Sequence, residues 1–267
     1  MMDLRKITDD VRQLAIETGS FLREEQKRFR RECVVEKHAH DYVSYVDKES
    51  ERRIVERLHQ IVPQAGFIAE EGTGSLSEEE YCWVVDPLDG TTNYIHGSAP
   101  FCVSIALRNR EELLVGVVYE VSRNECFYAW KDSEAYLNGT EIHVSNISSL
   151  NNSFIQLGLP YNAEKASIFM THLLYDLYGH VGGIRIQGSA AAELCYIAAG
   201  RFEARIEGML GPWDIAAGAL ILKQAGGNVT TFTGTDDFYN GQQVLATNGA
   251  IHGELQSVVH NNLIYLK

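Results

Sequence analysis

The apolar run Trp83-Val84-Val85 passes without interruption into Asp86-Pro87-Leu88-Asp89-Gly90-Thr91-Thr92. The three apolar residues predict a buried strand, Pro87 and Gly90 a tight turn holding both carboxylates, and Gly90 to Thr92 the start of a helix. A chain that ends a buried strand on two carboxylates must settle their repulsion. At 4 Å the pair repels by about 4 kcal/mol if the effective dielectric is near 20. Either a proton is shared or a divalent cation lies between them. With no His or Cys in the motif, oxygen-only ligands favour Mg²⁺ or Mn²⁺ over zinc. The free N–H groups of the helix start form an anion cradle. A hard cation beside an anion cradle describes a phosphate-ester site.

Other acids stand at comparable places. "DYVSYVDKESE" carries Asp47, "GFIAEEG" carries Glu70 and Glu71, and "GPWDIAAG" carries Asp214. Each alone has a plainer reading: Asp47 and Asp214 as caps of the helices that follow, Glu70 and Glu71 as loop charges, Asp86 before Pro87 as a turn former. Three better-known motifs do not fit. An aspartyl-phosphate nucleophile needs D-x-D-x-T, whereas the spacing here is D-x-x-D. An EF-hand needs alternating acids with a Glu at position twelve. No G-x-G-x-x-G fingerprint is present.

The 267 residues suffice for one large core or two fused halves, burying roughly 75% of the unfolded chain's surface without staples. We divide them at about residue 150. Residues 1–150 form an α+β half holding most of the acids, and residues 151–267 an α/β half holding Asp214. Helical periodicity is expected from Leu4 to Leu22, after Asp47 up to Pro63, from Ala163 to Tyr178, from Ser189 to Ala199, from Trp213 to Ala225 and near Leu255. Strands are expected at 67–69, 83–85, 102–107, 113–119, 125–130, 153–157, 184–186, 202–206 and 244–246, the 102–130 group as an antiparallel meander. Mixed elements in both halves predict stacked layers around a shared cleft.

A net charge of −13 with no basic block argues against nucleic acid as partner. Five scattered cysteines without a C-x-x-C pair read as reduced thiols in a cytoplasmic protein. The charged first ten residues lack a signal-peptide core, and no run of about 18 apolar residues spans a membrane. His38 and His40 would share a strand face and can bind a metal, although a surface loop is the preferred reading. Tyr42 and Tyr45 read as packing or subunit-interface residues.

"WVVDPLDGTTNYIHG" with "PWDIAAG" resembles the inositol monophosphatase family, and "DYVSYVD", "FIAEEG" and "IRIQGSAAAELCYIAAGRFEARIEG" follow in the family's order. The resemblance implies a layered α/β/α/β/α sandwich of the inositol monophosphatase and fructose bisphosphatase type. It also implies a lithium-sensitive, Mg²⁺-dependent phosphomonoesterase, as a homodimer. Glu70, Asp86 and the Leu88 carbonyl would bind a first metal, and Asp86, Asp89 and Asp214 a second, with a third assisting. Asp47 and Thr91, with Glu70, would polarise the attacking water. Gly90, Thr91 and Thr92 would hold the phosphate, and Asp89, Ser189, Ala190 and Glu207 would line the alcohol side. The implied substrate is inositol monophosphate or a similar small polyol phosphate. Fructose bisphosphatase, bisphosphate nucleotidase and histidinol-phosphatase activities are the alternatives, and a non-catalytic regulatory binding protein is the rival class. Leu159 in "QLGLPY" stands where some relatives offer a serine, and "KDSEAYLNG" lacks the family's glycine-rich turn. Both leave the substrate open.

Overall fold

The computed structural model describes residues 2–29, 35–38, 41–72, 79–160 and 163–266, with the backbone alone at 35–38, 41–43 and 163–165. His40 and Cys33 therefore lie outside the described residues, as do the side chains of His38 and Tyr42.

Two helices open the chain, α1 (Leu4–Arg28) and α2 (Tyr45–Ile61), separated by the paired strands β1 (Val35–His38) and β2 (Asp41–Val43). Asp3 caps α1 by accepting from Lys6 N–H at 3.0 Å. The apolar stripe Ile7, Val11, Leu14 and Leu22, at helical spacing, is the face that packs inward.

A seven-stranded sheet follows: β3 (Gly66–Ala69), β4 (Tyr81–Asp89), β5 (Cys102–Asn109), β6 (Leu113–Glu120), β7 (Glu125–Trp130), β8 (Ala135–Leu137) and β9 (Thr140–Ile142), ordered as numbered. Only β3 and β4 run parallel; the remainder is an antiparallel meander. The central strands are apolar on both faces because both faces are covered. Trp83, Val85, Val103, Ile105 and Val117 pack under α1 and α2. Val84, Cys102, Ala106 and Val118 face the other way, onto α5 (Ala190–Ala198) and α6 (Pro212–Gln224).

The second sheet is β11-β10-β12-β14-β13, built from β10 (Phe154–Leu157), β11 (Gly183–Arg185), β12 (Ala204–Gly208), β13 (Asn228–Thr230) and β14 (Gln243–Thr247). β10 is parallel to both its neighbours, and β14 is antiparallel to β12 and β13. Val229, Val244 and Ala246 join the core shared with α5 and α6, while Ile155, Ile206 and Leu245 face α4 (Ala163–Leu177) and α8 (His252–Asn262). The layers are thus α1/α2, sheet, α5/α6, sheet, α4/α8: the five-layered sandwich. Two short helices, α3 (Thr91–His96) and α7 (Phe238–Gly241), respectively follow β4 and precede β14 in the chain.

Three expectations differ from the structure. Asp47 does not cap α2: Ser44 does, and Asp47 stands three positions inside, accepting from Ser44 N–H at 2.8 Å. Asp214 likewise follows the cap residue Gly211 and accepts its N–H at 2.6 Å. The Asp86–Asp89 stretch is not a free tight turn but the irregular end of β4. The reason is local. Pro87 has no N–H for the ladder, and the Leu88 N–H turns back onto Asp86 Oδ1 at 2.9 Å.

Candidate active site

That irregularity creates the site. Asp86 pairs with Ser104 and Asp89 with Cys102, so β4 uses three steps where β5 uses two. In a regular strand, residues three apart point to opposite faces. The extra residue of the bulge puts both aspartates on the same face. Cys102 lies in the core facing α5 and α6, and Ser104 donates to the Trp213 carbonyl on α6, which fixes that face as the α5/α6 side.

Three further elements converge there. Glu70 follows β3, whose last residue Ala69 pairs with Val85, so Glu70 stands beside Asp86. Its N–H donates to the Val85 carbonyl at 3.2 Å. Asp214 arrives from the first turn of α6. Asp86, Asp89 and Asp214 each offer an oxygen, and these atoms lie within 4.8 Å of one another. The α5 N-terminus holds Asp89: the Ser189 hydroxyl donates at 2.6 Å, and the Ala190 and Ala191 N–H groups at 3.2 and 2.8 Å. Ser189 and Ala190 are therefore brought to the site through Asp89.

Burial raises the Asp86 carboxyl well above the usual range, and the negative charges of Glu70, Asp89 and Asp214 push it further. Asp214 is raised in the same way, by burial first and then by Asp89 and Glu70. An all-oxygen, mutually repelling cluster of this kind can hold a metal ion, and its donor set fits a hard divalent cation.

The Thr91 hydroxyl lies 3.1 Å from Asp47 Oδ1 and 3.0 Å from the Leu88 carbonyl oxygen. Burial raises the Asp47 carboxyl, opposed by the hydrogen bonds from Ser44. Gly90 precedes α3 with φ of 89°, and a Cβ there would stand 2.9 Å from the Pro100 carbonyl oxygen. Only glycine fits this point without strain.

Glu70, Asp86, Asp89, Gly90 to Thr92, Glu207 and Asp214 line one cavity of about 380 Å³. Asp47 stands behind this wall, reaching it through Thr91. Glu207 belongs to β12 and is buried, paired with Arg205. Arg205 also pairs with the fully buried Glu193 of α5, whose other oxygen accepts the Gly188 N–H at 2.8 Å. Sequence reading missed both Arg205 and Glu193. The available signal was charge inside otherwise apolar runs, Glu193 in "AAAELCY" and Arg205 in "FEARIEG". Cys82, Cys102, Cys126 and Cys195 are buried free thiols, and no described helix is long and apolar enough to cross a membrane.

The family model of the inositol monophosphatase family matches residues 3–263. The chain belongs to that family. It is 36% identical over 252 residues to a fructose-1,6-bisphosphatase/inositol-1-monophosphatase of Aquifex aeolicus, covering 94% of each chain. To the Nus factor SuhB of Pseudomonas aeruginosa it is 39% identical over 235 residues, covering 86% of this chain and 87% of that one. A Thermotoga maritima IMPase shares the fold with a TM-score of 0.89 at 32% identity, over 97% of this chain and 98% of the other. Membership supports phosphatase chemistry for the cavity, and the family as a whole is Mg²⁺-dependent.

Proposed function

We propose that the protein is a Mg²⁺-dependent phosphomonoesterase acting on inositol monophosphate or a similar small polyol phosphate. The observation that carries this reading is the convergence of Asp86, Asp89 and Asp214 within 4.8 Å, beside Glu70 and facing the start of α3. Two or three Mg²⁺ ions, with Mn²⁺ as a substitute, would occupy the carboxylates together with the Leu88 carbonyl. When bound, they supply charge neutralisation at the phosphoryl oxygens and the leaving alkoxide and lower the pKa of water.

The chain's own groups do the rest. A hydroxyl has one proton, so Thr91 donates to Asp47 or to Leu88 and keeps its lone pairs for an attacking water. Glu70 flanks that water from the carboxylate side. The N–H groups of Gly90 and Thr91, with the Thr92 side chain, hold the phosphate, and Asp89, Ser189, Ala190 and Glu207 border the alcohol. No covalent enzyme intermediate is required. Lithium inhibition, a homodimer and a cytoplasmic location go with this reading. The exposed Ile168 and Tyr175 of α4, with Tyr178 just after it, are apolar surface available to a second subunit.

The test is phosphate release from a panel of phosphomonoesters with Mg²⁺, with and without chelator. Turnover of inositol 1-phosphate that chelation abolishes is expected. Preference for a bisphosphate would move the reading toward the activity in the A. aeolicus relative's name. Folded protein inert on every ester would move it to a binding role, for which the Nus-factor name of the P. aeruginosa relative is the support.

A further inference from the structure

Leu159, Ile186 and Met209 are 53%, 52% and 46% exposed, yet all three line the cavity that holds the carboxylates. Isolated exposed aliphatic residues are ordinary. These three come from separate segments brought together by one feature of the fold. β11, β10 and β12 are mutually parallel neighbours, and Ile186, Leu159 and Met209 each follow the carboxyl end of one of them. The carboxyl ends of parallel strands are where open sheets bind ligands. Leu157 pairs with Ile206, so the 158–159 segment continues alongside Glu207 and Gly208. A Cβ at Gly158 would stand 2.0 Å from the Glu207 carboxyl carbon. The carboxylate therefore lies against the backbone immediately before Leu159. Glu207 is in turn held by Arg205, which commits one of its oxygens.

The alcohol side of the cavity thus has Glu207, a partly committed and buried acceptor, together with three exposed aliphatic side chains. A cyclitol, with hydroxyls around its rim, offers those side chains only the C–H groups of its ring face. We infer that the preferred leaving alcohols carry one hydroxyl for Glu207 and an apolar face, aromatic or aliphatic, seated on Leu159, Ile186 and Met209. The inference rests on the cavity being a phosphomonoester site, and among small polyol phosphates it ranks alcohols with an apolar face above inositol itself.

The test uses a matched pair of esters, 2-hydroxyethyl phosphate and 2-hydroxy-2-phenylethyl phosphate, which differ by one phenyl ring. Binding of the corresponding non-hydrolysable phosphonates, (3-hydroxypropyl)phosphonate and (3-hydroxy-3-phenylpropyl)phosphonate, is measured alongside by calorimetry. In the wild type the phenyl compounds should lead by about tenfold in both kcat/KM and affinity, as burial of part of a ring predicts. Leu159→Ser with Met209→Ser should bring both ratios to within about twofold of unity, and Leu159→Met, which keeps the apolar surface, should preserve them. A wild-type ratio near one, or a ratio that survives the double serine variant, overturns the inference while ester turnover leaves the phosphatase reading standing. Phosphonate discrimination without turnover of any ester would remove the hydrolase reading and keep the apolar contact.

Discussion

The Thr91 hydroxyl bridges two fixed oxygens, Asp47 Oδ1 at 3.1 Å and the Leu88 carbonyl at 3.0 Å, although 44 residues separate Thr91 from Asp47. Asp47 is itself fixed through its other oxygen, Oδ2, which accepts the Ser44 N–H and hydroxyl at 2.8 and 2.7 Å. A hydroxyl held this way has a set orientation, which is what positioning a water requires.

Thr91→Ala should therefore lower kcat by about two decades with little change in KM, the loss expected when a group assisting proton transfer is removed. Thr91→Ser should recover most of it. Steady-state kinetics on one ester decides the matter: an unchanged kcat with raised KM would reassign Thr91 to ground-state binding.

Asp86 and Asp214 make the metal-free protein sensitive to pH in a defined direction. Their carboxyls are raised in the fold, so above the ordinary carboxylate value near 4 the folded state holds more protons than the unfolded chain. Their contribution is fully present below that value and is lost as pH rises through the raised folded values. Melting temperatures of chelated protein between pH 5 and 8 should fall more steeply for the wild type than for Asp86→Asn. Adding Mg²⁺ should raise the melting temperature most at the alkaline end. Parallel wild-type and variant curves would show that the cluster is not strained by its own charge.

How much of this was legible in the sequence depended on whether a feature was local. The α1 stripe from Ile7 to Leu22 repeats at 3.6 residues, and the strands of the 102–130 meander are apolar runs between charged turns, so both could be read directly. β8 and β9 are three residues each and partly polar, too short to carry a period. The bulge between Asp86 and Asp89 needs the partner strand to define it. Pro87 signals a break but not which face the acids take. The clustered acids could be picked out because each borders a strand or helix end. Arg205 and Glu193 showed only as charges in apolar runs, because their pairing depends on β12 lying beside α5.

Gly90→Ala should disrupt the cradle. The substitution forces a side chain into φ of 89° and places Cβ 2.9 Å from the Pro100 carbonyl oxygen and 3.2 Å from that of Gly188. Strain of this kind costs about 1–3 kcal/mol, and the first turn of α3 must shift to relieve it. Calorimetry should show a melting temperature lower by several degrees, with kcat/KM reduced on every ester tested. Wild-type melting and activity would mean that the Pro100 and Gly188 segments yield freely.

The Glu193–Arg205–Glu207 group separates folding from specificity. Arg205→Met leaves two buried carboxylates facing each other without a cation, and breaking a buried pair from one side costs about 3–5 kcal/mol. Glu207→Gln removes one charge and leaves Arg205 balanced against Glu193, so it should fold with a much smaller change in melting temperature. Its effect should appear in catalysis instead. A hydrogen bond to a charged group contributes about 1.5–3 kcal/mol, so loss of the carboxylate should lower kcat/KM for a polyol phosphate by roughly one to two decades. An aryl phosphate, which has no hydroxyl to offer, should be nearly indifferent. Burial raises the Glu207 carboxyl, and the Arg205 guanidinium beside it opposes that rise. Glu193→Gln tests that dependence from the far side: it should free Arg205 to serve Glu207 alone and leave the polyol preference intact. Equal losses on polyol and aryl esters for Glu207→Gln would show that the carboxylate supports the wall of the cavity without selecting the substrate.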